Sequence, residues 1–193
     1  MTRSNYLPGM GHFDLVARYY DRIFRFPGPE RLLNGLQPQP GDRLLDVGGG
    51  TGRVSGTFGD HLQVVICDPA PAMVSEARGK GLRVCASVAE HLPFADRSFE
   101  RIVVVDTFHH LHDQRLAAAE LLRVLRPGGR LVVEEPDIRK RPVKFAALLE
   151  RLLLMRSRFF SLADLMRLFE ASGAAILSTD EGLDYNVRLI LSR

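Results

Sequence analysis

Short aliphatic runs alternate along this chain with longer stretches of helical periodicity, and turn signals separate them. Five runs come in order: Arg43 to Val47, Leu62 to Cys67, Leu82 to Cys85, Arg101 to Val105 and Arg130 to Glu134. Each is too short for a globular helix and is mostly β-branched, so each predicts a strand buried on both faces. Between them, Ala70 to Arg78 and Asp113 to Arg126 carry apolar residues at helical spacing. The second pattern ends at Pro127-Gly128-Gly129. Arg53 to Asp60 predicts a weaker helix, because Gly56 and Gly59 each lower helix propensity by roughly 1 kcal/mol. The rhythm is that of a parallel sheet with helices on both faces.

Before the first strand, Phe13, Val16, Tyr20, Ile23 and Phe24 recur at helical spacing, and a second short helix runs through Leu36. After the fifth strand, Pro142 to Met155 and Ser161 to Ala171 predict helices. Ala174 to Ser178 and Val187 to Leu191 predict a closing hairpin. No repeat or linker divides the chain, so the pattern predicts one domain over residues 1–193. Its parts are amino-terminal helices (1–41), a ligand-binding core (42–136), a cap segment (137–160) and a last helix with a strand pair (161–193).

Composition changes this picture little: 193 residues, 46% hydrophobic and 25% charged, suffice for one sizeable core without disulfides. The longest apolar runs, Ile102 to Val105 and Leu152 to Met155, fall far short of the ~20 residues that cross a bilayer, and the polar start does not read as a secretory signal. A cytoplasmic protein is the expectation. Cys67 and Cys85 sit in aliphatic runs without metal-ligand spacing and read as core residues. Charge adds more, because the net +3 is uneven. Arg139, Lys140, Arg141, Lys144, Arg151, Arg156 and Arg158 against Glu150 alone make that segment +6. One local stripe is too little for a nucleic-acid footprint, so no nucleic-acid partner is expected.

The candidate chemistry begins where the first strand ends. Asp46-Val47-Gly48-Gly49-Gly50-Thr51-Gly52-Arg53 places four glycines before the next element, where bare backbone and exposed N–H groups admit a polar ligand. Twenty positions after Gly48 comes Asp68, at the end of the second strand. In a doubly wound sheet its carboxylate lies beside the first loop and can accept from both hydroxyls of a ribose. The pair points to an adenosine ligand. The dinucleotide fingerprint requires Gly or Ala where Arg53 stands, which disfavours a nicotinamide oxidoreductase, and no Gly-Lys-Ser/Thr follows to make a P-loop.

At these residues the chain resembles the class I S-adenosylmethionine-dependent methyltransferases, in particular the branch of quinone-biosynthesis C-methyltransferases. The carriers are Tyr20-Asp21, the loop from Leu45 to Gly52, Asp68 to Met73, Ala89-Glu90-His91-Leu92-Pro93-Phe94 with Ser98-Phe99, Phe108 to Leu111, and Leu125 to Leu131. The resemblance implies a Rossmann-like α/β fold, a seven-stranded sheet of order 3-2-1-4-5-7-6 with strand 7 antiparallel. It implies S-adenosylmethionine as cofactor, with S-adenosylhomocysteine as product. Gly48, Gly50 and Gly52 would meet its amino-acid end, Asp68 its ribose, Met73 one adenine face and the Ala89 backbone the adenine edge. Asp46, Gly49, Pro69, Val88 and Asp106 complete the implied set, with Tyr20 in an amino-terminal lid. Val88 departs from the family, which commonly has an acid there to accept from the adenine amino group.

Methyl transfer from a sulfonium needs an acceptor held in line and water kept out; it needs no protein nucleophile. A base helps only if the acceptor loses a proton. His109, His110 and Asp106, at the end of the fourth strand, are the candidates, against a structural role for both histidines. Asp106, Glu134, Glu135 and Asp137 could in principle hold a metal, but strand-end carboxylates more often meet solvent or cofactor, and no metal is expected. The expected acceptor is a small molecule, with a hydrophobic or quinol-like one as the finer expectation. Phe145, Leu148, Leu149, Leu152 and Leu153 beside Lys144, Arg151 and Arg158 would suit such an acceptor, or peripheral contact with an anionic membrane. The rival from another class is a non-catalytic module that binds the cofactor or its product.

Overall fold

The structure is a computed structural model and describes residues 17–23, 28–60, 62–152, 157–181 and 185–193. Seven strands make one sheet: β1 (Arg43–Val47), β2 (Gln63–Cys67), β3 (Arg83–Cys85), β4 (Phe99–Val105), β5 (Leu125–Pro136), β6 (Ala175–Asp180) and β7 (Asn186–Ser192). Their order is β3-β2-β1-β4-β5-β7-β6, and β7 runs antiparallel to both its neighbours. The expected fold and strand order are borne out, as is the closing hairpin.

Strand alternation sorts the aliphatic residues into two layers. Leu44, Val103, Val105 and Val132 face one side, where they meet Leu32 and Leu36 of α2 (Glu30–Leu36) with Val54, Phe58 and Leu62. Leu45, Ile102, Val104, Leu131 and Val133 face the other. There α4 (Gln114–Val124) contributes Ala117 and Leu121, and α6 (Leu162–Ala171) contributes Leu165 and Phe169. Both helices on this side are capped at their first turn. Asp113 accepts from the N–H groups of Arg115 and Leu116, and Ser161 and Asp164 form a reciprocal capping box. Preceding α2 is the short α1 (Tyr20–Ile23); α3 (Pro71–Gly79) follows β2 and α5 (Arg141–Leu152) follows β5. Among the described residues, no helix is long and apolar enough to cross a membrane.

The structure departs from expectation in three places. Residues 53–60 form turns and a short tight helix at Ser55–Thr57 rather than an α-helix, although Val54 and Phe58 still bury one face. The helix after Asp113 stops at Val124 because β5 already begins at Leu125. Pro127-Gly128-Gly129 then lies in a register shift between β4 and β5, with Phe99 opposite Leu125 and Arg101 opposite Arg130. The expected helix before Ala17, the Tyr20 side chain and the Leu153 end of the cap stripe lie outside the described residues.

Candidate functional site

The strand order reverses between β1 and β4, so the carboxyl ends of β1, β2 and β4 open onto one crevice, the usual ligand position in such sheets. Gly48, Gly50 and Gly52 all have positive φ, at 70°, 56° and 75°. They differ in what a side chain would meet. At Gly48 a Cβ would collide with the Thr107 side chain, at Gly49 with the Asp46 carboxyl, and at Gly52 with Leu82 and Ile66. At Gly50 it would meet nothing nearer than Met73 Sδ at 3.7 Å and Asp68 Oδ2 at 4.0 Å. Three glycines are therefore needed for packing, and the fourth faces the crevice.

Asp68 is buried and anchors this crevice: its Oδ2 accepts from Gly50 N–H at 3.0 Å, and its Oδ1 from Ala70 N–H at 2.8 Å. The spacing argument thus places the carboxylate correctly beside the glycine loop. Asp46 is 1% exposed, and its Oδ2 has no hydrogen-bond partner among the described residues. Burial pushes its carboxyl up to about 6, opposed by the adjacent Ser55 hydroxyl and N–H and by Arg53, while the Asp68 charge adds to the rise. A buried carboxylate with an unsatisfied oxygen suits a cationic ligand group such as an α-ammonium.

The amino-terminal segment closes one side. Ala17 packs on Ala70 and Met73, and the Thr51 hydroxyl donates to Asp21 Oδ1 at 2.5 Å. Lys80 Nζ donates to Asp21 Oδ2 at 2.5 Å and to the Thr51 carbonyl at 2.8 Å, clamping this segment to the glycine loop. Sequence reasoning missed this clamp; only the acid following Tyr20 hinted at it. Val88 is half-buried and Ala89 buried on the segment after β3, which is held beside β2 by Asp68 N–H to the Cys85 carbonyl and Cys67 Sγ to the Ser87 carbonyl. Pro69 is half-buried between Asp68 and α3. Cys67 is buried as expected, whereas Cys85 is only partly so.

On the opposite side, Asp106 adopts φ 51° at the end of β4 and pairs with Arg53 at 3.4 Å. Burial pushes its carboxyl up to about 6, with Glu135 adding to the rise and Arg53 opposing it. Thr107 to His109 then turn over Glu135, which is 1% exposed and accepts their three backbone N–H groups together with the His109 ring. Sequence reasoning weighed Glu135 only as a metal ligand. His110 lies at 3.0 Å from Ser157 Oγ through Nδ1, and burial, assisted by His109, pushes its imidazole down to about 3. It stays neutral across the physiological range.

The remaining strand-end acids are paired. Glu134 meets Arg188 and Asn186, and Asp137 takes a bidentate contact from Arg139. No group of His, Cys, Asp and Glu among the described residues is arranged to hold a metal.

Residues 45–133 match the family model described as a methyltransferase domain. Demethylmenaquinone methyltransferase of Beutenbergia cavernae is 39% identical over 135 residues, covering 65% of this chain and 56% of the relative. The ubiquinone/menaquinone biosynthesis C-methyltransferase UbiE of Teredinibacter turnerae is 37% identical over 146 residues, covering 65% and 58%. A crystal structure of an S-adenosylmethionine-dependent methyltransferase from Thermotoga maritima superposes with a TM-score of 0.76 at 25% identity, over 95% of this chain and 99% of that one. The chain spans little more than half the length of the curated relatives it matches. The resemblance noted at the glycine loop is borne out.

Proposed function

We propose that this chain, whose central portion is a methyltransferase domain, binds S-adenosylmethionine across the carboxyl ends of β1, β2 and β4 and methylates a small-molecule acceptor. The observation that carries the reading is the crevice in which an open Gly50, the Asp68 carboxylate and the unpartnered Asp46 Oδ2 come together. These groups fit the cofactor. Gly50 supplies close backbone approach in a loop that Gly48 and Gly52 shape by their packing, Asp46 a charge for the α-ammonium, Asp68 an acceptor for the ribose, and Met73 with the Val88–Ala89 segment the adenine surround. Asp106 borders the methionine end and Tyr20 belongs to the covering segment.

When bound, the sulfonium supplies an activated methyl group, and the protein's task is orientation and exclusion of water. For an acceptor that loses a proton, Asp106 is the better base. Its carboxyl, pushed up to about 6, is largely ionised yet still basic at neutral pH, whereas His110 is pushed down to about 3. His110 and Ser157 then serve as a neutral polar wall.

The relatives' names favour a quinol-like acceptor. On α5, Phe145 and Leu148 are 70% and 55% exposed beside the exposed Arg141 and Lys144. A cytoplasmic protein with such a face would take a hydrophobic acceptor, or reach one by resting on an anionic bilayer. Failure to sediment with phosphatidylglycerol vesicles at low salt would remove the membrane part.

Calorimetric titration with S-adenosylmethionine, S-adenosylhomocysteine and NADH in parallel tests the cofactor, and the first two alone should bind. A methyl-transfer assay with a short-chain demethylmenaquinol then tests the acceptor class. Cofactor binding without turnover over a broad metabolite panel would support a non-catalytic binding module instead.

A further inference from the structure

We infer that Glu135 is a positioning residue that ties the cofactor side of the site to the acceptor cap, acting through His109; the acceptor half of this statement rests on the function proposed above. Glu135 Oε1 accepts from the N–H groups of Thr107 at 2.9 Å and Phe108 at 2.7 Å. Its Oε2 accepts from the His109 N–H at 3.2 Å and from ring Nδ1 at 2.6 Å. A carboxylate can only accept, so the ring proton sits on Nδ1 and the tautomer is set by Glu135.

The turn held in this way touches both halves of the site. Toward the cofactor, the Thr107 hydroxyl donates to the Gly48 carbonyl at 3.1 Å, and its side chain fills the space that a Cβ on Gly48 would occupy. Toward the cap, the His109 ring stacks on Phe159 with centroids 4.4 Å apart and planes at 20°. The His109 carbonyl accepts from Arg158 N–H at 2.7 Å, and its ring lies 3.9 Å from that of His110, which meets Ser157. Residues 157–160 belong to no helix or strand, so His109 is a principal fixing point for them. A carboxylate on β5 thereby sets the relative position of a loop from β1 and a cap segment more than twenty residues further on.

Two substitutions divide the network. His109→Ala removes the stack on Phe159 but leaves the three backbone hydrogen bonds to Glu135, the Thr107–Gly48 contact and the residue 109 carbonyl that accepts from Arg158, so any gain in exchange at Arg158 reads the loss of the ring alone. Glu135→Gln is nearly isosteric. Its amide oxygen can still accept from Thr107 and Phe108, while its NH2 group faces His109, where it can no longer accept the backbone N–H and requires an unprotonated Nδ1.

The experiment is amide hydrogen exchange and imidazole 15N NMR on the free full chain, with S-adenosylhomocysteine titrated in parallel. In His109→Ala, exchange at the Arg158 amide should rise at least tenfold, amides of β4 and β5 should be unchanged, and affinity for S-adenosylhomocysteine should stay within threefold. In Glu135→Gln, the His109 proton should move from Nδ1 to Nε2, and both Arg158 protection and affinity should fall at least fivefold. Unchanged Arg158 protection in His109→Ala, an unchanged His109 tautomer in Glu135→Gln, or loss of protection spread through the sheet would each overturn the inference. A wild-type chain that fails to bind S-adenosylhomocysteine would refute the cofactor reading instead, and the exchange and tautomer results would still decide the coupling.

Discussion

Asp46→Asn should make the free protein more stable at neutral pH and a worse binder. The carboxyl is wholly buried, has an oxygen without a partner among the described residues, and is pushed up to about 6 from an ordinary value of 3.8. Keeping it ionised at pH 7 therefore costs the folded state about 3 kcal/mol, at 1.36 kcal/mol per pKa unit. Asparagine removes that cost and retains an acceptor oxygen toward Ser55. Its NH2 group, buried without a partner, returns about 1 kcal/mol, leaving a net gain of about 2 kcal/mol. For a chain of this length that raises the melting temperature by roughly 4–8 °C.

The pH dependence follows from the direction of the shift. Between pH 3.8 and about 6 the folded wild-type chain binds the Asp46 proton more tightly than the unfolded one, so this group's contribution to stability declines as pH rises through that window. It is fully lost above pH 6. The asparagine variant lacks this slope, and the two proteins should differ least near pH 4 and most near pH 7. Melting by circular dichroism at several pH values, with calorimetric titration of S-adenosylmethionine, reads both effects, and affinity should fall at least tenfold. A variant melting at or below the wild-type temperature at pH 7 would show that the charge is not a cost to the free fold. Unchanged affinity would show that it does not face the ligand.

Asp68→Ala should weaken binding of S-adenosylhomocysteine by about 1.5–3 kcal/mol, the scale of hydrogen bonds to a charged group, and calorimetry showing an unchanged Kd would remove Asp68 from the ribose. Gly52→Ala combines φ 75° with a Cβ 2.2 Å from a Leu82 methyl, and should destabilise the fold by about 2 kcal/mol in urea titration. Gly50→Ala has room for its Cβ and should cost only about 1 kcal/mol through its φ of 56°, yet it should abolish cofactor binding because that Cβ enters the crevice. Affinity for S-adenosylmethionine should fall as pH drops below about 6, as Asp46 and Asp106 take up protons and lose their attraction for its positive groups. A flat binding curve from pH 5 to 8 would contradict the charge assignment.

The strands were legible because a sheet covered on both faces writes itself as unbroken aliphatic runs, and β1 begins and ends where the pattern says. β4 begins two residues earlier than its run, at Phe99, because Glu100 breaks the apolar pattern while Phe99 still pairs with Leu125 across the register shift. Arg53 to Asp60 failed for a different reason. Val54 and Phe58 bury a face at helical spacing, but the glycines among them give the backbone freedom to turn, and periodicity reports burial without fixing φ. Asp68 could be found from its distance to the glycine loop, since both are set by the same strand geometry. Glu135 and the Asp21–Thr51–Lys80 clamp could not. Their partners lie 26 to 59 residues away, and the Glu135 contacts are largely to backbone N–H groups that carry no residue identity.

The carboxylates at this sheet edge also bear on whether the crevice is a ligand site or only a turn rich in glycine. Glu134 has Arg188 and Asn186, Glu135 has three N–H groups and an imidazole, Asp137 has Arg139, and Asp68 caps two backbone N–H groups. For each of these the fold itself accounts for the charge, because removing the acid would leave a buried donor without its acceptor. Asp46 differs. One of its oxygens accepts nothing from the described residues, so a neutral side chain of the same shape would serve a mere turn better. A buried charge that weakens the free fold is the pattern expected where a ligand supplies the missing partner. Gly50, the glycine of this loop whose Cβ would meet only Met73 and Asp68 at ordinary contact distance, lies four residues on. A turn without a ligand explains neither feature, whereas a bound group carrying a cation beside an adenosine explains both.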